Sequence, residues 1–293
     1  MNEANSARVD ASHFRSPLIS VITSTLNAAA LLPFTIASLR TQTFRDFEWI
    51  VVDGASRDTT LDLLQDQGDL VTVLITEPDA GIYDAWNKAC SRSRGEWLIF
   101  LGAGDELASA DTLGNCAKPL REAPRSTSFV YGRLELVSPD KRSLLEVFGA
   151  PWQEICRRWE IGRPALPPHG AIFQRRTLFG ESTPFDLRFP IAADSHFLLR
   201  HIRTGSPTYM PETVTRTPRD GVSLRLDTAR QIGREIAAIN RDLGLVPPLR
   251  HQLLDIIRLM VIAAFSHLSP ATAHRLADLT RRLAGKPPRW TVR

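Results

Sequence analysis

The chain has 293 residues, of which 43% are hydrophobic and 23% charged. That balance excludes a chain too polar to fold and leaves room for one large α/β domain with an extension, or for two small domains. The formal charge of +4 is uneven: residues 250–293 hold eight Lys/Arg against two Asp, which leaves the rest of the chain at about −2, so the basic tail bears on partners and not on catalysis. Cys90, Cys116 and Cys156 are far apart, with no CxxC pair or Cys/His cluster. Neither a disulfide framework nor a zinc site is indicated, and a reducing cytoplasm fits best. The opening MNEANSARVDASHFRSP is polar and lacks an apolar core, so residues 1–16 read as a disordered lead-in and not as a signal peptide.

Residues 17–25 (PLISVITST) are apolar and rich in β-branched side chains between turn formers, the pattern of a buried strand. Within 31–43, Leu32, Ile36 and Leu39 recur at helical spacing. A second buried strand is expected over 47–52 (FEWIVV), ending at Asp53-Gly54. A helix over 59–67, a strand over 71–75 and a helix over 81–91 follow. A fourth strand over 96–101 (EWLIFL) stops at Gly102-Ala103-Gly104-Asp105. Beyond Leu107 the pattern is less regular. Residues 128–137 read as one or two strands, 171–173 as a short strand and 194–202 as a helix. From Asp227 the chain is mainly helical, with breaks at Pro247-Pro248, Pro270 and Pro287-Pro288. Strands alternating with helices of this length imply βαβ units and a mostly parallel sheet. The expected organisation is an α/β domain over 17–225 and a helical, basic extension over 226–293.

In such sheets ligands bind at the carboxyl ends of the strands, which directs attention to Ser24–Asn27, Asp53–Asp58 and Gly102–Glu106. Asp53 can accept a hydrogen bond from a base or a ribose, or it can cap the next helix as an Asx turn. Asp105 can hold a divalent cation against a diphosphate, or cap a loop. Two strand-end acids on one sheet favour the ligand reading. At Asp79-Ala80-Gly81 the glycine permits close backbone approach and the helix start offers N–H groups to an anion. A plain turn is the alternative. Asp194, in FPIAADSHFLLR, can serve as a general base or as a helix N-cap, with His169 and His196 as rival bases. No Walker loop or G-x-G-x-x-G follows the first strand, which argues against a P-loop enzyme and a dinucleotide-binding Rossmann protein.

These motifs converge on a family. The run PLISVITSTLNAAALLPFTIASLRTQTFRDFEWIVVDGASRDTT resembles the opening of the family 2 glycosyltransferases with the GT-A fold, and EPDAGIYDAWNKACSRSRGEWLIFLGAGDEL resembles their middle section. IAADSHFLLRH and RDGVS (220–223 within it) resemble later landmarks of the bacterial branch that builds exopolysaccharide, O-antigen or capsule. The resemblance is dense from Pro17 to Leu107, looser to Ser223 and absent beyond. It implies an inverting transferase that moves a sugar from a UDP-, GDP- or dTDP-linked donor to a hydroxyl acceptor, with Mg²⁺ or Mn²⁺. It further implies that Ser24, Thr25, Leu26 and Asn27 line the nucleobase pocket, that Asp53 contacts base or ribose, and that Asp79 and Gly81 border the donor. Asp105 matches the last acid of the metal and diphosphate motif, and Asp194 matches the catalytic base. Departures are visible: Gly54, Gly102 and Gly104 stand where acids are common, Trp86 replaces the usual Arg, and Ala193 replaces an acid before the base.

A degenerate nucleotide-sugar-binding or scaffolding protein is the competing reading, supported by the stripped metal motif. A nucleotidyltransferase would show a Gly-rich basic loop after the first strand, which TSTLNAAALL lacks. The basic tail has little aromatic interleaving, so no nucleic-acid partner is expected. Residues 253–268 (LLDIIRLMVIAAFSHL) are strongly apolar but too short for the ~20 residues of a spanning helix. They read as a packed helix or oligomer contact, or as an in-plane helix on the cytoplasmic leaflet followed by Arg275, Arg281, Arg282, Lys286, Arg289 and Arg293. The latter suits a lipid-linked saccharide acceptor and a peripheral location on the inner face of the membrane.

Overall fold

The computed structural model describes residues 16–141, 143–160, 162–180, 183–202, 207–219, 228–253 and 269–283, with isolated positions at 257, 260, 288 and 291. Residues 1–15, the DGVS of RDGVS (220–223) and most of 253–268 lie outside the described residues. Four parallel strands come first: β1 (Ile19–Thr25), β2 (Phe47–Asp53), β3 (Val73–Thr76) and β4 (Trp97–Phe100), in spatial order β3-β2-β1-β4. They alternate with helices α1 (Leu32–Arg40), α2 (Thr60–Gln65) and α3 (Ile82–Arg92). Both faces of this sheet are covered, which is why the strands read as continuous apolar runs. Side chains alternate between faces. Val21, Trp49, Val51, Trp97 and Ile99 pack toward α1, while Ile22, Ile50, Val52, Leu98 and Phe100 pack toward α3.

The second half of the sheet is mixed. After β5 (Glu106–Leu107) and α4 (Thr112–Glu122) come β6 (Phe129–Val137), β7 (Leu144–Phe148), the short helix α5 (Trp152–Ile155) and the two-residue strands β8 (Trp159–Glu160) and β9 (Arg163–Pro164). Next are β10 (Ile172–Arg175), α6 (Ala193–Ile202), β11 (Thr208–Pro218), α7 (Ala229–Asp242) and α8 (Pro270–Leu283). β10 pairs antiparallel with β4 and β6, β11 runs parallel to β6, and β5 closes the far edge antiparallel to β11. The expected α/β architecture with helices toward the C-terminus is thus present, and 128–137 is one strand. α4, β7 and β11 had no counterpart in the sequence reading. Among the described residues no helix is long and apolar enough to cross a membrane.

The amino-terminal ends of β1, β2 and β4 are locked by one buried carboxylate. Glu48 Oε1 accepts from Ser20 Oγ (2.6 Å), Arg94 N (2.6 Å) and Gly95 N (3.1 Å), and its Oε2 meets Arg94 Nε at 3.1 Å. Only glycine fits at 95, since a Cβ there would lie 2.5 Å from Ser20 N. With that end fixed, the opposite, carboxyl ends are free to carry loops.

Candidate active site

Strand register sets the site. Thr25 pairs with Asp53, Asp53 with Thr76, and Ile22 with Phe100. The loops after β1, β2, β3 and β4 therefore emerge along one edge. All eight residues expected at the donor site, Ser24, Thr25, Leu26, Asn27, Asp53, Asp79, Gly81 and Asp105, lie in or beside these loops.

The first two loops are clasped together. Asp53 has no exposed surface. Its Oδ1 accepts from Thr25 Oγ1 (2.9 Å) and Ser56 Oγ (2.6 Å), and its Oδ2 from Ser56 N (2.8 Å). Ser56 Oγ also accepts from Asn27 N (2.8 Å), and Asn27 Oδ1 from Arg57 N (2.9 Å). Asp53 does not cap α2, whose N-cap is Thr59 with no side-chain cap; its carboxylate instead braces the two loops from within. Asn27 (φ 49°) and Ala55 (φ 61°) are left-handed, a conformation asparagine tolerates and alanine holds only under constraint. Leu26 is 59% exposed and Asn27 is also exposed, so the clasp presents them at the edge.

The departures at Gly54 and Gly102 have a steric meaning. A Cβ at Gly54 would lie 2.6 Å from Asp79 Oδ2, and one at Gly102 would lie 2.9 Å from Asp105 Oδ2. Each glycine makes room for the carboxylate of another acid. Asp79 Oδ1 accepts from Gly81 N (2.9 Å), and Gly81 (φ 116°) opens α3. Asp105 Oδ2 accepts from Gly102 N at 3.0 Å. Burial raises the Asp105 pKa to about 6, against the opposing pull of Gly102 N–H, the Thr217 hydroxyl and Lys141. Glu106 is neutralised by the Lys141 ammonium, which also donates to Gly104 O (3.0 Å) and lies 3.5 Å from the Phe34 ring centroid. Glu106, the other acid beside Asp105, therefore faces a cation already in place.

Asp194 lies in the first turn of α6. Its Oδ1 accepts from Ser195 N (2.6 Å), and the single Tyr83 Oη proton is shared between that oxygen (3.1 Å) and Ile191 O (2.7 Å). Tyr83 stands two residues after Gly81, so α3 ties the loop at Asp79–Gly81 to Asp194. Burial and the Asp194 charge push the Tyr83 pKa well up, which keeps it a hydroxyl donor. Of the rival bases, His169 is the one whose charge state feels Asp194. Burial lowers its pKa, and Asp194 opposes the shift. It stacks on Trp86 with centroids 5.1 Å apart. His196 is also pushed down by burial, and the acids acting on it are Asp186 and Asp242.

Residues 20–181, more than half of the chain, match the family model described as Glycosyl transferase family 2. This chain belongs to that family. It is 36% identical over 197 residues to the PGL/p-HBAD biosynthesis glycosyltransferase of Mycobacterium tuberculosis, covering 63% of this chain and 70% of that one. Solved structures share the fold. Staphylococcus aureus TarS 1-349 in complex with UDP-GlcNAc has a TM-score of 0.57 at 19% identity, covering 75% of this chain and 66% of that chain. The mannosyltransferase PcManGT from Pyrobaculum calidifontis, in complex with GDP-Man and Mn2+, has a TM-score of 0.53 at 19% identity, covering 88% and 82%. The chain spans about two thirds of the TarS chain.

Three residues that act on the surroundings of Asp194 in this glycosyltransferase were not singled out from sequence. Tyr83 lay within a quoted motif but 111 residues from its partner. Arg163, on β9, is buried with an unpartnered Nε, and the Asp194 charge opposes the downward pull of burial on its pKa. Glu235 lies beyond every motif. Among the described residues, one group has metal-binding spacing, Asp186, His196 and Asp242, with ligand atoms within 4.8 Å. Arg188 Nη2 already bridges the two acids at 2.6 and 2.7 Å, so a cation is supplied by the chain itself.

Proposed function

We propose that this glycosyltransferase moves a sugar with inversion from a nucleotide-sugar donor to a hydroxyl acceptor in the synthesis of a bacterial surface glycan, with Asp194 as base. The observation that carries this is the asymmetric anchoring of Asp194. One oxygen is held by Tyr83 and Ser195 N–H, while the other accepts no hydrogen bond among the described residues. A base needs that arrangement, oriented by one oxygen and open at the other. The open oxygen takes the acceptor proton as the acceptor oxygen attacks the anomeric carbon opposite the diphosphate. Ser24, Thr25, Leu26 and Asn27 line the nucleobase pocket, and Asp53 acts by fixing their loop. Asp79 and Gly81 border the donor, with the start of α3 offering N–H groups to an anion.

The residues at the end of β4 fit a divalent cation. Of the Asp105 oxygens, Oδ2 takes the Gly102 N–H, and a single carboxylate with the donor's own phosphate oxygens is a common way to hold Mg²⁺ or Mn²⁺. When bound, the cation would neutralise charge on the leaving diphosphate. The Mn2+ in the mannosyltransferase structure and the UDP-GlcNAc in the TarS structure support this reading of the cleft.

A lipid-linked acceptor at the inner face of the membrane suits the exposed apolar side chains Leu249, Leu253, Ile257 and Met260. Their spacing of three and four residues is helical, and basic residues follow. The test of the reaction is release of nucleoside diphosphate from UDP-glucose, UDP-GlcNAc, GDP-mannose and dTDP-rhamnose, with Mn²⁺ and with chelator. Turnover of one donor, lost in Asp194→Asn, supports the assignment. Selective donor binding without turnover would favour the scaffolding alternative.

A further inference from the structure

The two residues ahead of α6 carry backbone N–H groups for which the helix itself has no carbonyl. One buried side chain takes both. Glu235 Oε2 accepts from Ile191 N at 3.0 Å and from Ala192 N at 2.8 Å, and its Oε1 accepts from Gln231 Nε2 at 3.0 Å. Glu235 is 7% exposed and comes from α7, outside the 20–181 match. Tyr83 Oη holds the other side of the same stretch through Ile191 O, sharing its proton between that carbonyl and Asp194. The peptide entering the catalytic helix is therefore gripped by N–H groups on one side and by a carbonyl on the other.

α7 is itself firmly placed. Ile232, Ile236 and Ile239 are buried in the core on the α3 face, and Asn240 Nδ2 donates to Gly162 O at 2.7 Å. A brace mounted on a packed helix transmits its position to what it holds. A cap of this kind also fixes where the first turn begins, and Asp194 is in that turn.

We propose that Glu235 is a positioning residue for Asp194, acting through the Ile191 and Ala192 amides, so that α7 belongs to the catalytic apparatus of this enzyme. The proposal rests on Asp194 being the base. Acceptor geometry, more than charge, is what the two amides require, and this separates two conservative variants. Glu235→Gln keeps a carbonyl oxygen at the same reach, and exposed Gln231 is free to present its own carbonyl to the new amide. Glu235→Asp keeps the charge but withdraws the oxygens by one methylene.

The test uses the full chain and the nucleotide sugar turned over fastest in the hydrolysis screen. Glu235→Asp is expected to lower kcat roughly 10- to 100-fold, the scale of a small misplacement of a catalytic group. Donor KM should stay within about twofold, because the loss is confined to the transition state. Glu235→Gln should retain kcat within about threefold, and thermal shifts with UDP and GDP should be unchanged in both. Leu120→Ala, a cavity under α4 in the core on the other face of the sheet, is the stability control and should lower Tm with kcat retained at 25 °C. Equal loss in Glu235→Gln and Glu235→Asp, or a kcat loss matched by weaker donor binding, overturns the positioning role. Full activity in Asp194→Asn overturns the base assignment itself. Loss in Asp194→Asn with full activity in Glu235→Asp overturns the role of Glu235 alone.

Discussion

Asp105 should cost the protein stability at the pH where it works, and Asp105→Asn should recover it. The carboxyl has an ordinary pKa of 3.8 and ionises at about 6 in the folded chain, chiefly because burial disfavours the charge. The sign follows from linkage. Below about pH 3 the group is protonated in both states and contributes nothing. As pH rises from there, the unfolded chain ionises first, so the folded state loses ground until its own pKa is passed. At 1.36 kcal/mol per tenfold step, the full cost at neutral pH is about 3 kcal/mol as an upper limit, reduced by the solvent access the carboxylate retains. At pH 5 about half of that cost is present. Asparagine keeps an acceptor for the Gly102 N–H and does not titrate. In chelator, Asp105→Asn should therefore melt a few degrees higher than the parent at pH 7.5, and no more than roughly 10 °C higher. The gain should shrink by about half at pH 5, and donor turnover should be lost. Differential scanning fluorimetry across pH 4.5–8 measures it. A variant no more stable than the parent at pH 7.5, or a gain that does not vary with pH, would refute the reasoning.

Asp194→Asn should leave nucleotide binding intact while donor turnover falls by roughly 10²–10⁴-fold; the same loss in His169→Ala or His196→Ala with an active Asp194→Asn would reassign the base. Gly54→Ala places a Cβ 2.6 Å from Asp79 Oδ2, so it should cost about 1–3 kcal/mol in urea denaturation. Asp79→Ala should relieve it, and strict additivity of the double variant would show that the two positions do not compete for space. For the tail, truncation after Leu249 is a blunt tool because Arg281 of α8 pairs with Glu146 of β7 at 3.0 Å. Replacing exposed Leu253, Ile257 and Met260 together by serine should instead abolish flotation with anionic liposomes and leave donor hydrolysis unchanged; equal flotation by the variant and the parent would remove this stripe from the membrane argument.

The parallel half of the fold, β1 to β4, was legible, and the other half was not, for a physical reason. β1, β2 and β4 are buried on both faces, so nearly every residue must be apolar and the strand shows in any short window. β11 is different. Its eleven residues, TYMPETVTRTP, alternate between exposed and covered positions and include Pro211 and Pro218, which read as breaks. α4 holds Pro119 inside it, which interrupts the helical signal in the same way. β7 is too exposed and too short to stand out.

The site divides along the same line. The acids of the donor edge announce themselves because a strand end is a local feature, and the residue following it is read from the strand alone. What such a reading misses is direction. Asp53 points inward to brace two loops, and Gly54 and Gly102 are absent acids only until Asp79 and Asp105 are seen in the vacated space. Around Asp194 every defining contact except the Ser195 amide is long-range. Tyr83 reaches it across 111 residues, and Glu235 reaches the Ala192 amide from 43 residues away. No window of sequence contains either pair. The strand-end loops are read from the strands that carry them, whereas the packing behind Asp194 comes from a distant stretch of the chain, the helix α7.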